Sequence, residues 1–193
     1  MSNIKEQTTV EGHQRKYSLK NTLLPEGYVI NKKLLNTLQG SIYIGKHYDG
    51  KHKVIIKVSS KKLSNKGITY INNKRKTVTV KEDIVKEAQI MQHIRQNRKK
   101  SIKGYIKLLN FINDKYNYII IQEFGGESLY NHVKYAHSKH KSLDKIFWKK
   151  HVNKLFKQMV LFINWLHNTV NVCHFDISLE NCVINTKTFI VSF

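Results

Sequence analysis

The dominant apolar period of the chain changes at Gly125-Gly126. Before that pair, apolar residues alternate with polar ones or run in short blocks rich in Ile and Val, as in "SIYIGKHY", "KHKVIIKV" and "YNYIIIQEF". After it they recur every three or four positions, from Trp148 through Val152, Leu155, Phe156, Met159 and Ile163 to Leu166. A period of two puts successive side chains on opposite faces of a strand, and a period near 3.6 gathers them on one face of a helix. That change predicts an α+β chain, with a sheet-rich antiparallel half first and a helix-rich half after it.

The first 26 residues are polar and weakly patterned up to the single proline, Pro25, and are expected to form a flexible arm. Residues 27–124 then read strand, strand, helix, strand, strand. Asp49-Gly50, set between two strand runs, predicts a tight hairpin with both turn residues at positive φ. The stretch 59–78 is rich in Lys and Asn and reads as a surface insertion. Thr79 and Glu82 have the spacing of a capping box, opening a helix whose apolar positions are Ile84, Ala88, Met91 and Ile94. Two further strands meet at the turn-forming Asn113-Asp114. In residues 125–193, "SLYNHVKYAHSKH" predicts one helix, Ser142 opens a longer one, and "CVIN-TK-TFIV" predicts a hairpin.

Bulk chemistry narrows the function classes. The apolar fraction of 40% supports a real core, and no stretch reaches the ~18 apolar residues a bilayer span needs. Residues 1–20 lack the apolar centre of a secretion signal, so a soluble intracellular (cytoplasmic) protein is expected. Cys173 and Cys182 make no disulfide framework, and no Cys/His spacing resembles a zinc site. The ten histidines are scattered, with His47/His52 and His132/His137/His140 nearest to clusters, and read as exposed residues. The net charge is +21, but Lys and Asn are spread along the whole chain. That bias reads as solvated lysine faces, and nucleic acid is not the expected partner.

Two constellations carry chemistry. A lysine inside an apolar strand run, as Lys57 is in "VIIKV", either reaches solvent from an edge or meets a buried anion. Glu87 lies three residues after Ile84 and four before Met91, on the same helical face, so the two ions explain each other as a pair. The second constellation is "HFDISLEN", where Asn181 follows Asp176 by five residues and His174 precedes it by two. An acid that can accept a hydroxyl proton, beside an amide oxygen that can ligate magnesium, suits phosphoryl transfer. The alternative is a loop whose Asp and Asn make turn hydrogen bonds.

In this order, these residues resemble the eukaryotic-type protein kinase domain over residues 28–193. "VIIKV" is similar to the family's V-A-I-K strand, "HFDISLEN" to its H-R-D-L-x-x-x-N loop, and Glu87 in "IVKEAQIM" to the helix glutamate that pairs with the lysine. "IIIQEFGGESL" resembles the strand-to-hinge segment, with Gln122 at the gatekeeper-like place and Glu123-Phe124 opening the hinge. The resemblance implies a two-lobe fold, with residues 27–124 as the sheet lobe and 125–193 as part of a helical lobe. It implies ATP and Mg2+ as cofactors and transfer of the γ-phosphate to a protein Ser/Thr hydroxyl. Asp176, Asn181 and His174 would then be catalytic, with Asn181 on the metal. Lys57, Glu87, Leu34, Gly40, Ile42, Ile55, Glu123, Gly125 and Val183 would line the nucleotide site.

The chain also departs from that pattern. In "LNTLQGSI" only Gly40 remains of the phosphate-covering loop, with Leu35 and Thr37 at its other glycine places. Ile55 replaces the small alanine, Phe175 the arginine beside the acid, and Ser178 the loop lysine. The family's D-F-G is met only by Ser192-Phe193, eleven residues after Asn181, and serine supplies no carboxylate. The resemblance therefore implies a chain that ends before the activation segment, weak or inactive in catalysis. Its partner would be a protein substrate, or a protein covering the incomplete helical lobe. A pseudokinase scaffold is the other reading.

Overall fold

The structure is a computed structural model that describes residues 22–37, 39–66, 68–71, 77–80, 83–98, 102–139 and 145–193. The elements in chain order are β1 (Leu23–Leu24), a short 3-10 turn (Pro25–Gly27), β2 (Tyr28–Asn36), β3 (Gly40–His47), β4 (Lys53–Ser60) and α1 (Lys61–Lys66). Then come β5 (Ile68–Ile71), β6 (Thr77–Val80), α2 (Ile84–Gln96), β7 (Leu108–Asn113) and β8 (Asn117–Glu123). The second half holds β9 (Glu127–Ser128), α3 (Leu129–Lys139), α4 (Lys145–Asn168), β10 (Val183–Asn185) and β11 (Ile190–Ser192). The chain is thus mixed α+β, built around a curled six-stranded antiparallel sheet of order β1-β2-β3-β4-β8-β7.

The apolar runs in β4, broken only by Lys57, and in β8 follow from their central places, which cover both sheet faces. On one face Ile30, Tyr43, Val54, Ile56, Val58, Ile119 and Ile121 close into a core with Leu24. On the other, Ile120 and Leu108 meet Ile84 and Ala88 of α2. Each fully buried aliphatic side chain contributes about 1.5–3 kcal/mol, so this sandwich of helix and sheet fixes where α2 lies. Leu129, Leu155, Cys182, Ile184 and Val191 form a separate core between α3, α4 and the β10–β11 hairpin. Phe162, Trp165, Leu166 and Val170 form another, which takes in Ile94 from α2, Ile102, Tyr105 and Phe193. That cluster joins the two halves. Main-chain bonds repeat the join, from Ile106 N to Phe193 O at 3.2 Å and from Phe193 N to Gly104 O at 3.1 Å.

Several local expectations are corrected. The arm is not free throughout, because β1 pairs with β2 and Leu24 enters the core; residues 1–21 lie outside the described part. The first hairpin loop spans five residues, 48–52, and only Gly50 (φ 70) of the Asp49-Gly50 pair has positive φ. Asp49 instead accepts from Lys51 N through its side chain. The stretch after β4 is not plain insertion, since it carries α1 and the two-stranded β5–β6 sheet. Thr79 sits in β6, and the N-cap of α2 is Asp83, whose Oδ1 accepts from Lys86 N at 2.9 Å. The best local caps are one-residue features, and a capping-box spacing alone cannot choose between neighbours.

The long helix buries most of the predicted face but not all of it. Leu155, Phe162, Trp165 and Leu166 are buried, with Met159 and Ile163 partly so, whereas Val152 and Phe156 are exposed along with Val160 and Leu161. Ser142 and the side chain of Trp148 lie outside the described residues. The final hairpin closes through residues 186–189, with Phe189 at φ 54, rather than through Thr186-Lys187 alone.

Candidate functional site

Lys57 sits in the middle of β4, paired with Ile42 of β3 and with Ile120 of β8. It is a central-strand residue, so the solvent-edge alternative does not apply. Strand alternation sends Val54, Ile56 and Val58 to one core and leaves Lys57 on the face shared with Ile120, which α2 covers. There Lys57 Nζ donates to Glu87 Oε2 at 2.7 Å. The lysine side chain is 19% exposed and the glutamate 39%, so the pair opens to solvent on the glutamate side. An ion pair of this length is charge-assisted and geometrically good.

Other predicted residues surround this strand. Ile55 pairs with Ile44 and Gln122, and Ile42 with Leu35, all within the sheet. Leu34 is exposed, on a strand whose register slips twice, between Ile30 and Lys32 and between Lys33 and Leu35. Gly40 has a structural reason of its own: a Cβ there would stand 1.8 Å from Val58 O. That glycine lets β3 approach β4 closely, which is a different use from cradling phosphate.

At the end of β8, Glu123 is exposed and its N–H donates to Lys107 O at 3.0 Å. Gly125 follows, in a place where a Cβ would strike Val183 and Ile106. Gly126 has φ 132 and lies so near Ile184 O that a side chain would not fit. The two glycines thus let the segment after β8 run directly beside β10, and β9 pairs with it through Ser128↔Val183. Glu123, Gly125 and Val183 are thereby gathered at one corner.

The loop 171–182 is held by the helix that follows the glycines. Leu129 N donates to Cys182 O at 2.8 Å and Tyr130 N to Leu179 O at 3.1 Å, so the first amides of α3 find acceptors in the loop. Within the loop, Asn181 Nδ2 donates to Asp176 Oδ2 at 2.7 Å and to Asp176 O at 3.1 Å. Asn181 N in turn donates to Ser178 Oγ. Asp176 N donates to His174 Nδ1 at 3.3 Å, and the His174 ring stands edge-on to Phe193 at 5.7 Å. Asp176 and Asn181 are both exposed. Phe175 stands in solvent at 96% exposure.

Two separate pairs, Lys57–Glu87 and Asp176–Asn181, are therefore built. The anchors of the second, Ser178 and Phe193, were named in the sequence only as departures from the kinase pattern. Ser178 acts through its hydroxyl, and Phe193 stacks on Phe162 at 5.0 Å with rings 7° from parallel. Neither has a spacing signature, because both contacts depend on how α4 and the loop fold together. Ser192, at 8% exposure, is part of β11 opposite Val183.

No protein-family model matches the chain, and no curated protein matches it significantly. The reading of the site rests on its own chemistry. Among the described residues no group of three or more His, Cys, Asp or Glu is arranged to hold a metal ion. At the loop, Asn181 donates through Nδ2 to Asp176 Oδ2, so the Asp176 carboxylate and the Asn181 amide oxygen are the oxygen donors there that could ligate a cation.

Proposed function

We propose that the chain is a protein-kinase-like nucleotide-binding module with a two-lobe arrangement, taking ATP as its magnesium complex. The observation that carries this reading is the 2.7 Å pair between Lys57 of a central strand and Glu87 of the helix covering it. Glu87 holds the ammonium in one orientation, and Lys57 meets the α/β-phosphates electrostatically. Glu123 and Gly125, beside Val183, form the corner that takes the base.

Asp176 is the group that accepts a proton from a Ser/Thr hydroxyl of a protein substrate, and the Asn181 amide fixes its carboxylate for that task. No step runs through a resident metal. With Ser192 in place of an acidic ligand, positioning and electrostatics are weaker, and transfer is expected to be slow.

The same serine supports a second reading, a pseudokinase that binds nucleotide or protein without transfer. One experiment separates them. ATP should raise the thermal midpoint of the chain, and Lys57→Met should remove the rise. Labelling of a generic protein substrate from γ-labelled ATP, abolished by Asp176→Asn, supports the enzyme. ATP binding without labelling supports the scaffold. Absence of any Lys57-dependent ATP effect overturns nucleotide binding in both readings and leaves only a scaffold that binds protein.

A further inference from the structure

The long helix α4 keeps a second apolar row on its outer side. Leu155, Phe162 and Leu166 enter the core, whereas Val152, Phe156 and Val160, each four residues after the last, are 38%, 65% and 48% exposed. Positions spaced by four form one ridge along a helix surface, here a single side chain wide. Lys149 and Lys157, both exposed, precede Val152 and Val160 by three residues and so lie beside the ridge. Lys154, also exposed, stands three before Lys157 and widens the basic border. Across its 24 residues α4 carries five lysines and neither Asp nor Glu. The ion pairs among the described residues are made by Asp49, Glu87 and Glu127, with partners other than these lysines, so none of those carboxylates neutralises the border.

We propose that this face docks an acidic amphipathic helix of another protein. An apolar ridge one residue wide fits between the side-chain rows of a facing helix, by the ridge-into-groove packing that sets helix crossings. The lysine border then calls for Asp or Glu beside the partner's own apolar row, and such charges select the partner and its register. Two other occupants are disfavoured by the same residues. A second copy of the chain would set lysine against lysine, so self-association through this row is weak and yields to an acidic partner. A membrane surface takes a helix through a broad apolar face, and the broad face of α4 is already packed in the core through Leu155, Phe162, Trp165 and Leu166. None of the docking residues belongs to the Lys57–Glu87 or Asp176–Asn181 pair, so docking here needs no nucleotide.

The intact chain is titrated into a fluorescent synthetic peptide of about 21 residues, long enough to lie along α4, with Leu at alternating three- and four-residue spacings and Glu and Ala between them. Its anisotropy should rise on binding. Phe156→Lys, and separately Lys149→Glu combined with Lys157→Glu, should each weaken binding by about tenfold or more. Polyglutamate, which has the charge without the apolar row, should bind about tenfold more weakly than the peptide, and a peptide with Lys for every Glu should not bind. Raising sodium chloride from about 0.05 to 0.5 M should weaken the complex. Should a variant fold poorly, a photoreactive form of the peptide locates the contact on the unmodified chain, and crosslinks within residues 149–160 are expected. No binding, equal binding by the unmodified chain and both variants, or crosslinks only outside α4 overturns the proposal. So does a preference for phosphatidylserine vesicles over the peptide, which assigns the face to a membrane, or a dimer that the peptide does not dissociate, which assigns it to a second copy.

Discussion

At the scale of single residues, the Lys57–Glu87 pair is held where removing one partner leaves the other charge poorly solvated. Glu87→Ala is expected to lower stability by about 1–2 kcal/mol, less than for a fully buried pair because the glutamate is 39% exposed. Glu87→Gln keeps the shape and loses the charge, so it should cost less in stability while still weakening the ATP effect. Urea melts of the two variants, with and without ATP, check both statements. The cysteines make an independent test of burial. The Cys182 thiol, buried beneath α3, is pushed up to about 11 by desolvation. The reactive species is the thiolate, and Cys173 is exposed. At mildly alkaline pH a thiol reagent should modify one cysteine quickly, at Cys173, and reach Cys182 only on unfolding. Equal rates at both would show that the core around Leu129, Leu155 and Ile184 is not closed.

Secondary-structure elements carry the next predictions, and α4 is the most telling. Val152, Phe156 and Val160 recur at intervals of four, all exposed, with exposed Lys149, Lys154 and Lys157 beside them. An apolar stripe of this kind favours self-association. Phe156→Lys, at a 65% exposed position, should cut light scattering without lowering the melting midpoint. Replacing a buried neighbour gives the opposite pattern: Phe162→Ala should destabilise by about 3–5 kcal/mol. The α3–α4 contact should also respond to acid. Because the folded-state pKa of His151 is depressed, the unfolded chain binds the proton more readily. Its contribution is whole above about pH 6.5, the ordinary imidazole value, and is lost as the pH falls through the lower folded-state pKa. In metal-free buffer, His151→Gln should flatten the fall in melting midpoint over that range.

For the molecule as a whole, the net charge of +21 is the dominant electrostatic term. Like charges on a compact body repel, and added salt screens them within about 10 Å at 0.1 M. The melting midpoint should therefore rise with sodium chloride, even though the surface pair Asp49–His47 weakens. A midpoint that falls with salt would mean that local ion pairs outweigh the global repulsion. Among the described residues no helix is long and apolar enough to cross a membrane. The two halves meet through the Phe162–Val170 cluster, where Ile94 and Phe193 enter and His93 bonds to Val170 O at 3.0 Å. Changes at Phe193 should thus disturb both halves together.

The α+β order, the antiparallel strands, the approximate place of α2 and the partnership of Lys57 with Glu87 were legible in the sequence. Each depends on a repeat of two or about 3.6 residues, or on one ion being unaffordable in an apolar run without its counter-ion. Such signals are local, so they survive without knowledge of the fold. The outward turn of Val152 and Phe156 on α4, the true cap at Asp83, the small sheet at β5–β6 and the reach of β1 into the core were decided only by tertiary packing. So was the meeting of His132 with His151, which are nineteen residues apart on two different helices. These features turn on which of several acceptable apolar or polar surfaces finds a partner. That choice belongs to distant parts of the chain, and no spacing within a segment encodes it.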